Sequence, residues 1–150
     1  MGKINIELIK KLREESGASI VRIQKLLEEF NGDEVKALEV LKKEGFEKAE
    51  KRTERETGQG KIFTYSHHTG KVVSVVELLC ETDFVAKNEL FETLGKELAL
   101  QVASMGEEDV ESQDFVKDPS KKVSELIKEV IAKTGENVRL GRVVRMEIGK

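Results

Sequence analysis

The chain has 150 residues, enough for one domain of ordinary size or for a compact domain with a small helical appendage. Apolar residues make up 38% of it, which suffices for a core, and 37% are charged, well above the roughly 25% of an average protein. With 26 basic and 29 acidic residues the net charge is −3, so the chain lacks the basic excess typical of nucleic-acid-binding proteins. We therefore expect no direct nucleic-acid partner.

The sequence also argues against secretion and membrane insertion. No apolar run approaches the roughly 20 residues that a membrane-spanning helix needs, and the first residues lack the apolar segment of a secretory signal. Cys80 is the single cysteine, which excludes an internal disulfide framework and a cysteine-rich zinc site. These features predict a protein of the reducing cytoplasm, without a membrane partner.

Residues 1–56 predict a module of three short helices followed by a charged linker helix. Ser19 is the expected N-cap of the second helix, and Gly45 is the expected end of the third. Residues 46–56 are almost wholly charged after Phe46, which is typical of a solvated helical extension or linker. Three apolar stripes at helical spacing can bury themselves only against one another. The stripes are Ile4, Leu8, Ile9 and Leu12; Ile20, Ile23, Leu26, Leu27 and Phe30; and Val35, Leu38 and Leu41.

Residues 57–150 predict an α+β core, in which a small antiparallel sheet of about three strands packs with helices. β-branched residues flank the turn 67–70 (HHTG), which indicates a hairpin, and helical spacing returns after it. The last apolar residues alternate with other residues, as in a half-buried strand. The expected elements are strands at 61–66 and 71–79, helices at 90–102 and 123–131 separated by the acidic, irregular stretch 106–118, and a final strand at 138–148 with Val138, Leu140, Val144, Met146 and Ile148 on one face.

The residue types that perform most enzyme chemistry occur here without suitable neighbours. His67 and His68 are adjacent at the hairpin turn, where their side chains point to opposite faces and cannot easily share a metal ion. Cys80 follows a buried strand and has no base nearby in the sequence, so we expect a structural cysteine. The stretch 58–61 (GQGK) resembles part of a phosphate-binding loop, but a strand follows it and Ile62 occupies the position of the required hydroxyl. The sequence therefore predicts no catalytic residues, no metal site and no cofactor.

One segment, residues 80–88 (CETDFVAKN), points to a specific function. It joins a buried strand to a helix, and Asp83 is placed to cap the N-terminus of that helix. Phe84 then falls within the first helical turn, either as a hydrophobic staple or core residue or as a protruding anchor for a partner. Local physical chemistry favours the staple or core position.

This segment resembles the central signature of the bacterial translation elongation factor Ts family, which is built around a Thr-Asp-Phe-Val core. Two further stretches are similar to the same family. Residues 12–18 (LREESGA), with further matches in the next two helices, resemble its ubiquitin-associated-like (UBA-like) N-terminal module, and residues 131–138 (IAKTGENV) resemble the approach to its last strand. The chain departs from the family pattern at Arg22, Ile23 and Leu26, which affects the packing and contacts of the second helix.

The resemblance implies a guanine-nucleotide exchange factor, not an enzyme, whose partner is the translational GTPase elongation factor Tu. In the family, an exchange tip inserts as a wedge near the partner's magnesium and nucleotide site, so that GDP leaves and GTP replaces it. The N-terminal module holds a second surface of the same GTPase domain, where Val21 is the expected contact because Ile20 and Val21 cannot both face inward. The residues concerned are Thr82, Asp83, Phe84 and Val85 in the exchange tip, Arg13, Ile20 and Val21 in the N-terminal module, and Gln101 on the core helix as support of the wedge.

The chain has room for only one core copy, as in short members of the family, whereas long members pair two similar core subdomains. A three-stranded sheet leaves an edge and one face uncovered, and association through a two-fold axis is the commonest solution. We therefore expect a homodimer formed through the final strand, 138–148, or the first hairpin strand.

Two other functions remain as alternatives. A generic adaptor for nascent chains or ubiquitin-like partners would also use a UBA-like module, but it has no need of the exchange tip. A small hydrolase using Cys80 with His67 or His68 is the more distant alternative.

Overall fold

Residues 5–150 are described by the structure, a computed structural model, and their first part is helical. Its three helices are α1 (Ile6–Ser16), α2 (Ile20–Glu29) and α3 (Glu34–Lys51). Ser19 caps α2 as predicted, because its hydroxyl accepts the N–H of Arg22 at 3.2 Å. Most residues of the predicted stripes are buried against one another, which confirms the small bundle. Ile20 and Val35 are instead exposed, and Ile4 lies outside the described residues.

A three-stranded antiparallel sheet with helices on one face follows, which confirms the predicted α+β core. Its elements are β1 (Gln59–Ser66), β2 (Val72–Cys80), α4 (Asp83–Ala86), α5 (Glu89–Met105), a 3₁₀ turn (Val110–Ser112), β3 (Asp114–Phe115), β4 (Asp118–Lys122), α6 (Val123–Thr134) and β5 (Val138–Glu147). The strand order is β1-β2-β5, so β2 is the central strand. α5 packs across all three strands, and α6 packs beside β5. None of the helices within the described range combines the length and the apolar composition needed to cross a membrane.

Residues 106–122 are more regular than the sequence predicts. β3 and β4 pair as a separate two-stranded ribbon that follows the 3₁₀ turn. Pro119 fits in β4 because a two-stranded ribbon leaves edge positions whose N–H needs no partner in a sheet. Val110 and Phe115 are buried in the main core, and they attach this acidic segment to it.

A β-bulge in β5 determines which of its residues share a face of the sheet. Gly141 and Arg142 together oppose the single residue Glu77 of β2. One extra residue reverses the alternation of side chains, so the prediction that the apolar residues of this strand share one face is wrong. Those before the bulge, Val138 and Leu140, face the helices, and those after it lie on the opposite face, namely Val144 and Met146.

The face of the sheet away from the helices is apolar and largely exposed. Met146 is 72% exposed, Ile62 is 64% exposed and Val144 is 49% exposed. Glu77 and Arg142 lie on the same face and form an ion pair at 2.9 Å. The apolar residues of this outer sheet face are Ile62, Val73, Val75, Leu79, Val144 and Met146.

α3 does not end at Gly45 but continues to Lys51 and packs against α6. The helical extension, one of the two expected alternatives, is thus present, but it is partly buried and not fully solvated. Gly45 allows the close approach, since a Cβ there would lie 3.1 Å from the Cβ of Ala132. Ala49 is fully buried and belongs to the same hydrophobic cluster as the sheet. The domain boundary after residue 56 therefore stays a prediction, while the last turns of α3 share the core of the chain that follows.

We expect Ala49→Asp to destabilise the core, although Ala49 precedes the predicted domain boundary. An unpaired carboxylate at this buried position should lower the free energy of unfolding by roughly 3 kcal/mol or more. Glu47→Asp is the matched control because Glu47 is exposed on the same helix, and it should change stability by less than about 0.5 kcal/mol. Urea denaturation of both variants measures the difference. A wild-type midpoint for Ala49→Asp would show that α3 contributes nothing to the core.

Candidate functional site

Thr82 lies immediately before the short helix α4, at the point where the predicted exchange tip, residues 82–85, leaves the sheet. Its hydroxyl oxygen accepts the N–H of Val85 at 3.3 Å, so Thr82 is the N-cap. Asp83, the predicted cap, is instead the first residue of the helix, and its side chain is exposed. Cys80, at the end of β2, donates its thiol proton to the Thr82 carbonyl, with 3.1 Å between sulfur and oxygen.

Two carboxylates link this tip to the turn that joins α6 to β5. Glu136 accepts the Thr82 N–H at 3.0 Å through Oε1 and the Thr82 hydroxyl proton at 2.6 Å through Oε2. In the opposite direction, Glu81 accepts the N–H of Asn137 at 2.6 Å. Gly135 permits the sharp turn, because it ends α6 at a φ of +77° that L side chains rarely adopt. The tip is therefore fixed by side chains from both segments.

Phe84 points away from the core. Its exposed fraction is 82%, the largest value for any large apolar side chain within residues 5–150. The next two residues, Val85 and Ala86, are buried and occupy the inner side of the same helical turn. The staple or core position that local physical chemistry favoured is therefore wrong, and Phe84 is a protruding side chain on an attached turn.

The N-terminal module presents all three of its candidate contact residues at the surface. Arg13 is exposed on α1. Ile20 and Val21, at the start of α2, are 43% and 74% exposed. Both apolar residues are thus accessible to a partner, and Val21, the expected contact, is the more accessible of the two.

A groove connects the N-terminal module with the start of α5, just after the exchange tip. Its lining includes Arg13 of α1, Leu90 in the first turn of α5 and Lys133 near the end of α6. Gly17 allows the module to approach α6, because a Cβ at that position would lie 2.7 Å from the Cα of Lys133. The end of α6 therefore contacts the module on one side and, through Glu136, the exchange tip on the other.

Sequence reasoning did not single out Glu136. The available signal was its place in residues 131–138, one of the stretches that resemble the family. Its hydrogen bonds to Thr82 join residues 54 positions apart, and no local pattern predicts such a contact.

Gln101 does not lie with the exchange tip. It is buried on α5, where its side-chain nitrogen donates to the Asp114 carbonyl at 2.9 Å and its oxygen accepts the Val116 N–H at 2.8 Å. Gln101 therefore anchors the β3 segment to the core, and the support of the wedge that the resemblance implied stays a prediction.

Cys80 and the hairpin histidines lie at opposite ends of β2. This nine-residue strand separates Cys80 from the hairpin turn by about 26 Å at the usual rise per residue. Burial, together with the negative charge of Glu136, raises the pKa of the Cys80 thiol to about 11, so very little thiolate exists at neutral pH. Within residues 5–150, no three His, Cys, Asp or Glu side chains are grouped so that they could hold a metal ion. The hydrolase alternative thus has no support in this geometry.

Comparison with known proteins identifies the family. A sequence profile described as "Elongation factor TS" matches residues 81–150, which include the exchange tip and Glu136. Elongation factor Ts of Leptospira biflexa serovar Patoc is 37% identical, over 97% of this chain and 98% of the relative. Elongation factor Ts of Thermotoga maritima is 38% identical over 99% and 98%, and that of Thermosipho melanesiensis is 35% identical over 98% and 100%. The chain belongs to the elongation factor Ts family.

This member of the elongation factor Ts family is shorter than those relatives. The alignments with the Leptospira and Thermotoga proteins run over 194 positions, 44 more than the 150 residues of this chain. Because the alignments cover nearly the whole of both chains, the gaps in this chain are internal. The exchange tip and the turn that holds it both lie within residues 81–150, the part of the chain that the family profile matches.

We expect Phe84→Ala to leave the melting temperature of the isolated protein nearly unchanged, because the removed side chain is mostly exposed. The matched control is Val85→Ala, at a residue of the same tip that is only 8% exposed. Loss of its two methyl groups from the core should cost about 2 kcal/mol of stability. Thermal melting followed by circular dichroism compares the variants. A larger drop for Phe84→Ala than for Val85→Ala would contradict the exposed position of Phe84.

Proposed function

We propose that this protein promotes the release of GDP from the translational GTPase elongation factor Tu, with the exchange tip inserted near the magnesium and nucleotide site of that GTPase. Family membership supports the exchange activity and the partner. The proposed role of the tip rests on one observation: Phe84 is 82% exposed, on a helical turn whose next two residues are buried. The factor makes and breaks no covalent bond, so its activity depends on contacts.

Phe84 has the properties of an interface anchor. Aromatic side chains contribute much of the binding energy of protein interfaces when they enter a pocket of the partner. The turn that carries Phe84 is attached through Thr82 on one side and buried Val85 on the other, so little conformational entropy is lost when it binds. Phe84 can therefore displace elements of the partner without moving far itself.

Asp83 gives the same tip a negative charge. Its carboxylate lies 4.0 Å from the ammonium of Lys87 one turn later, an exposed pair that water screens strongly. A carboxylate brought close to bound GDP repels the phosphates and competes with them for Mg²⁺, which prefers oxygen ligands. Asp83 thus weakens nucleotide binding by electrostatic repulsion, and Phe84 weakens it by displacing elements of the GTPase.

The N-terminal module supplies the second contact through Arg13, Ile20 and Val21. The groove that contains Arg13 and Leu90 lies between the module and α5, so a partner that binds both surfaces covers a continuous region. Two contacts carried by one chain raise the effective concentration of each for its own site.

Exchange then follows from reciprocal coupling between two ligands of one GTPase. If the factor weakens GDP binding, GDP must weaken the binding of the factor to the same extent. The complex between the factor and the nucleotide-free GTPase dissociates when GTP binds, because GTP weakens the binding of the factor in the same way as GDP does.

Release of labelled GDP from elongation factor Tu, with and without this protein, tests the proposal. Phe84→Ala should lower the accelerated rate roughly thirty- to several-hundred-fold, as truncation of an interface hot spot does. Asp83→Asn keeps the size of the side chain and removes its charge, so it should slow exchange without a change in melting temperature. A wild-type rate of GDP release with Phe84→Ala would contradict the assignment of Phe84 as the wedge. A wild-type protein that binds the GTPase without speeding release would favour the adaptor alternative.

We also propose that the protein forms a homodimer through the outer sheet face. This face exposes apolar residues of all three strands, including Ile62, Val144 and Met146. A second copy related by a two-fold axis covers it with an identical surface, which is the usual arrangement in dimers. Two of the charged groups on the face, Glu77 and Arg142, pair within one chain. A third, Arg139, lies opposite Leu79 and donates to the hydroxyl of Thr57.

Light scattering at micromolar concentration should give twice the chain mass of 16.9 kDa. Val144→Asp should shift the protein towards monomer, because dimerisation would bury an unpaired charge on the outer sheet face. Val116→Asp is the matched control, since this valine is similarly exposed outside that face, and it should remain dimeric. If the wild-type protein shows only a 16.9 kDa species, the proposed homodimer is wrong.

A further inference from the structure

We infer that Glu136 is a positioning residue for nucleotide exchange: its carboxylate holds Thr82 and thereby fixes the direction in which Asp83 and Phe84 meet the GTPase. The inference rests on the proposed function and adds to it a residue outside the tip, in the turn that joins α6 to β5. Glu136 acts through Thr82 and needs no contact with the partner.

The hydrogen bonds of Thr82 leave its side chain no freedom to rotate. Its hydroxyl has one proton, which it donates to Oε2 of Glu136 at 2.6 Å, and the same oxygen accepts the Val85 N–H at 3.3 Å. Oε1 of Glu136 accepts the backbone N–H of Thr82 at 3.0 Å. Both bonds to the carboxylate are charge-assisted, which makes them stronger than bonds between neutral groups. One side chain therefore fixes both the backbone and the capping hydroxyl at the start of α4.

α4 needs this support because it has only four residues. A helix of one turn is unstable by itself, since fixing its backbone costs more than its few hydrogen bonds return. Burial of Val85 and Ala86 attaches the turn to the core, but the hydrophobic effect is non-directional and does not set its orientation. Hydrogen bonds depend strongly on angle, so the bonds to Glu136 supply the orientation.

Glu136 is itself held in place. The next residue, Asn137, is buried; its N–H donates to Glu81 at 2.6 Å and its side-chain amide donates to the Arg55 carbonyl at 2.8 Å. The preceding helix, α6, contacts the N-terminal module where Gly17 meets Lys133. Glu136 thus aligns the exchange tip relative to the second contact surface and does more than order the tip locally.

The test measures GDP release from elongation factor Tu over a range of factor concentrations, which separates the maximal release rate from the half-saturating concentration. Glu136→Ala removes both bonds to Thr82, so it should lower the maximal rate by at least about ten-fold, the scale of a single charge-assisted hydrogen bond, with little change in the half-saturating concentration. Glu136→Gln keeps one acceptor and should show an intermediate loss. Glu125→Gln removes a carboxylate from the other end of α6 and is the matched control, expected to behave as wild type.

A merely structural role gives a different result. A variant that is only less stable has a smaller active fraction, which raises the apparent half-saturating concentration and leaves the maximal rate intact. Thr82→Val combined with Glu136→Ala separates the cases further: because both substitutions remove the same hydroxyl–carboxylate bond, the double variant should lose less than the sum of the two single losses if Glu136 acts through Thr82. Fully additive losses would overturn the inference.

Amide hydrogen exchange supplies a readout that does not depend on nucleotide release. Glu136→Ala should reduce protection at the Val85 N–H, while the N–H groups of β2 and β5 keep theirs. Unchanged protection at Val85, or a wild-type maximal rate in Glu136→Ala, would overturn the inference. If the wild-type protein fails to speed GDP release, the proposed function fails and this inference fails with it. If the wild-type protein speeds GDP release, Phe84→Ala is impaired in this activity and Glu136→Ala is not, then the positioning role of Glu136 is wrong and the proposed function stands.

Discussion

The pairing of β2 with β5 is the constraint on which the rest of this structure depends. Cys80 at the end of β2 lies opposite Val138 at the start of β5, so the segments that continue from these two residues are neighbours. Thr82 and Glu136, 54 positions apart in the chain, meet for this reason. A tip of one helical turn can therefore project from the protein and still have a fixed orientation.

The end of α6 extends this constraint to the N-terminal module. Asn137 donates its side-chain amide protons to the carbonyls of Thr53 and Arg55, which ties the chain leaving α3 to the start of β5. Gly45 and Ala49 allow α3 to pack closely on α6. The two surfaces proposed to contact the GTPase are thus carried by one continuous packed unit, in which α6 contacts both parts.

Local signals predicted much of the fold, and long-range contacts account for the failures. A cap such as Ser19 and an apolar stripe depend on a few neighbouring residues, so the helices, the three-stranded sheet and the location of the exchange tip in the chain were predictable. The packing of α3 was not, because Gly45 and Ala49 are too small to stand out as an apolar stripe. The outward position of Phe84 depends on which neighbours are buried, and its support by Glu136 depends on a distant part of the chain. Neither follows from the local sequence.

The bulge in β5 and the open sheet face have one common cause. The extra residue brings both the N–H and the guanidinium of Arg142 to Glu77, at 3.2 and 2.9 Å, and Gly141 leaves the space that the Glu77 carboxylate occupies. The hydrogen bond from the Arg142 side chain holds the pKa of the Glu77 carboxyl below its ordinary value, so this pair stays charged and satisfied at neutral pH. Covering a satisfied ion pair opposes association less than burying two separate charges. In the proposed dimer, the bulge therefore has two effects: it moves Val144 and Met146 to the outer sheet face, and it pairs Glu77 with Arg142 on that face.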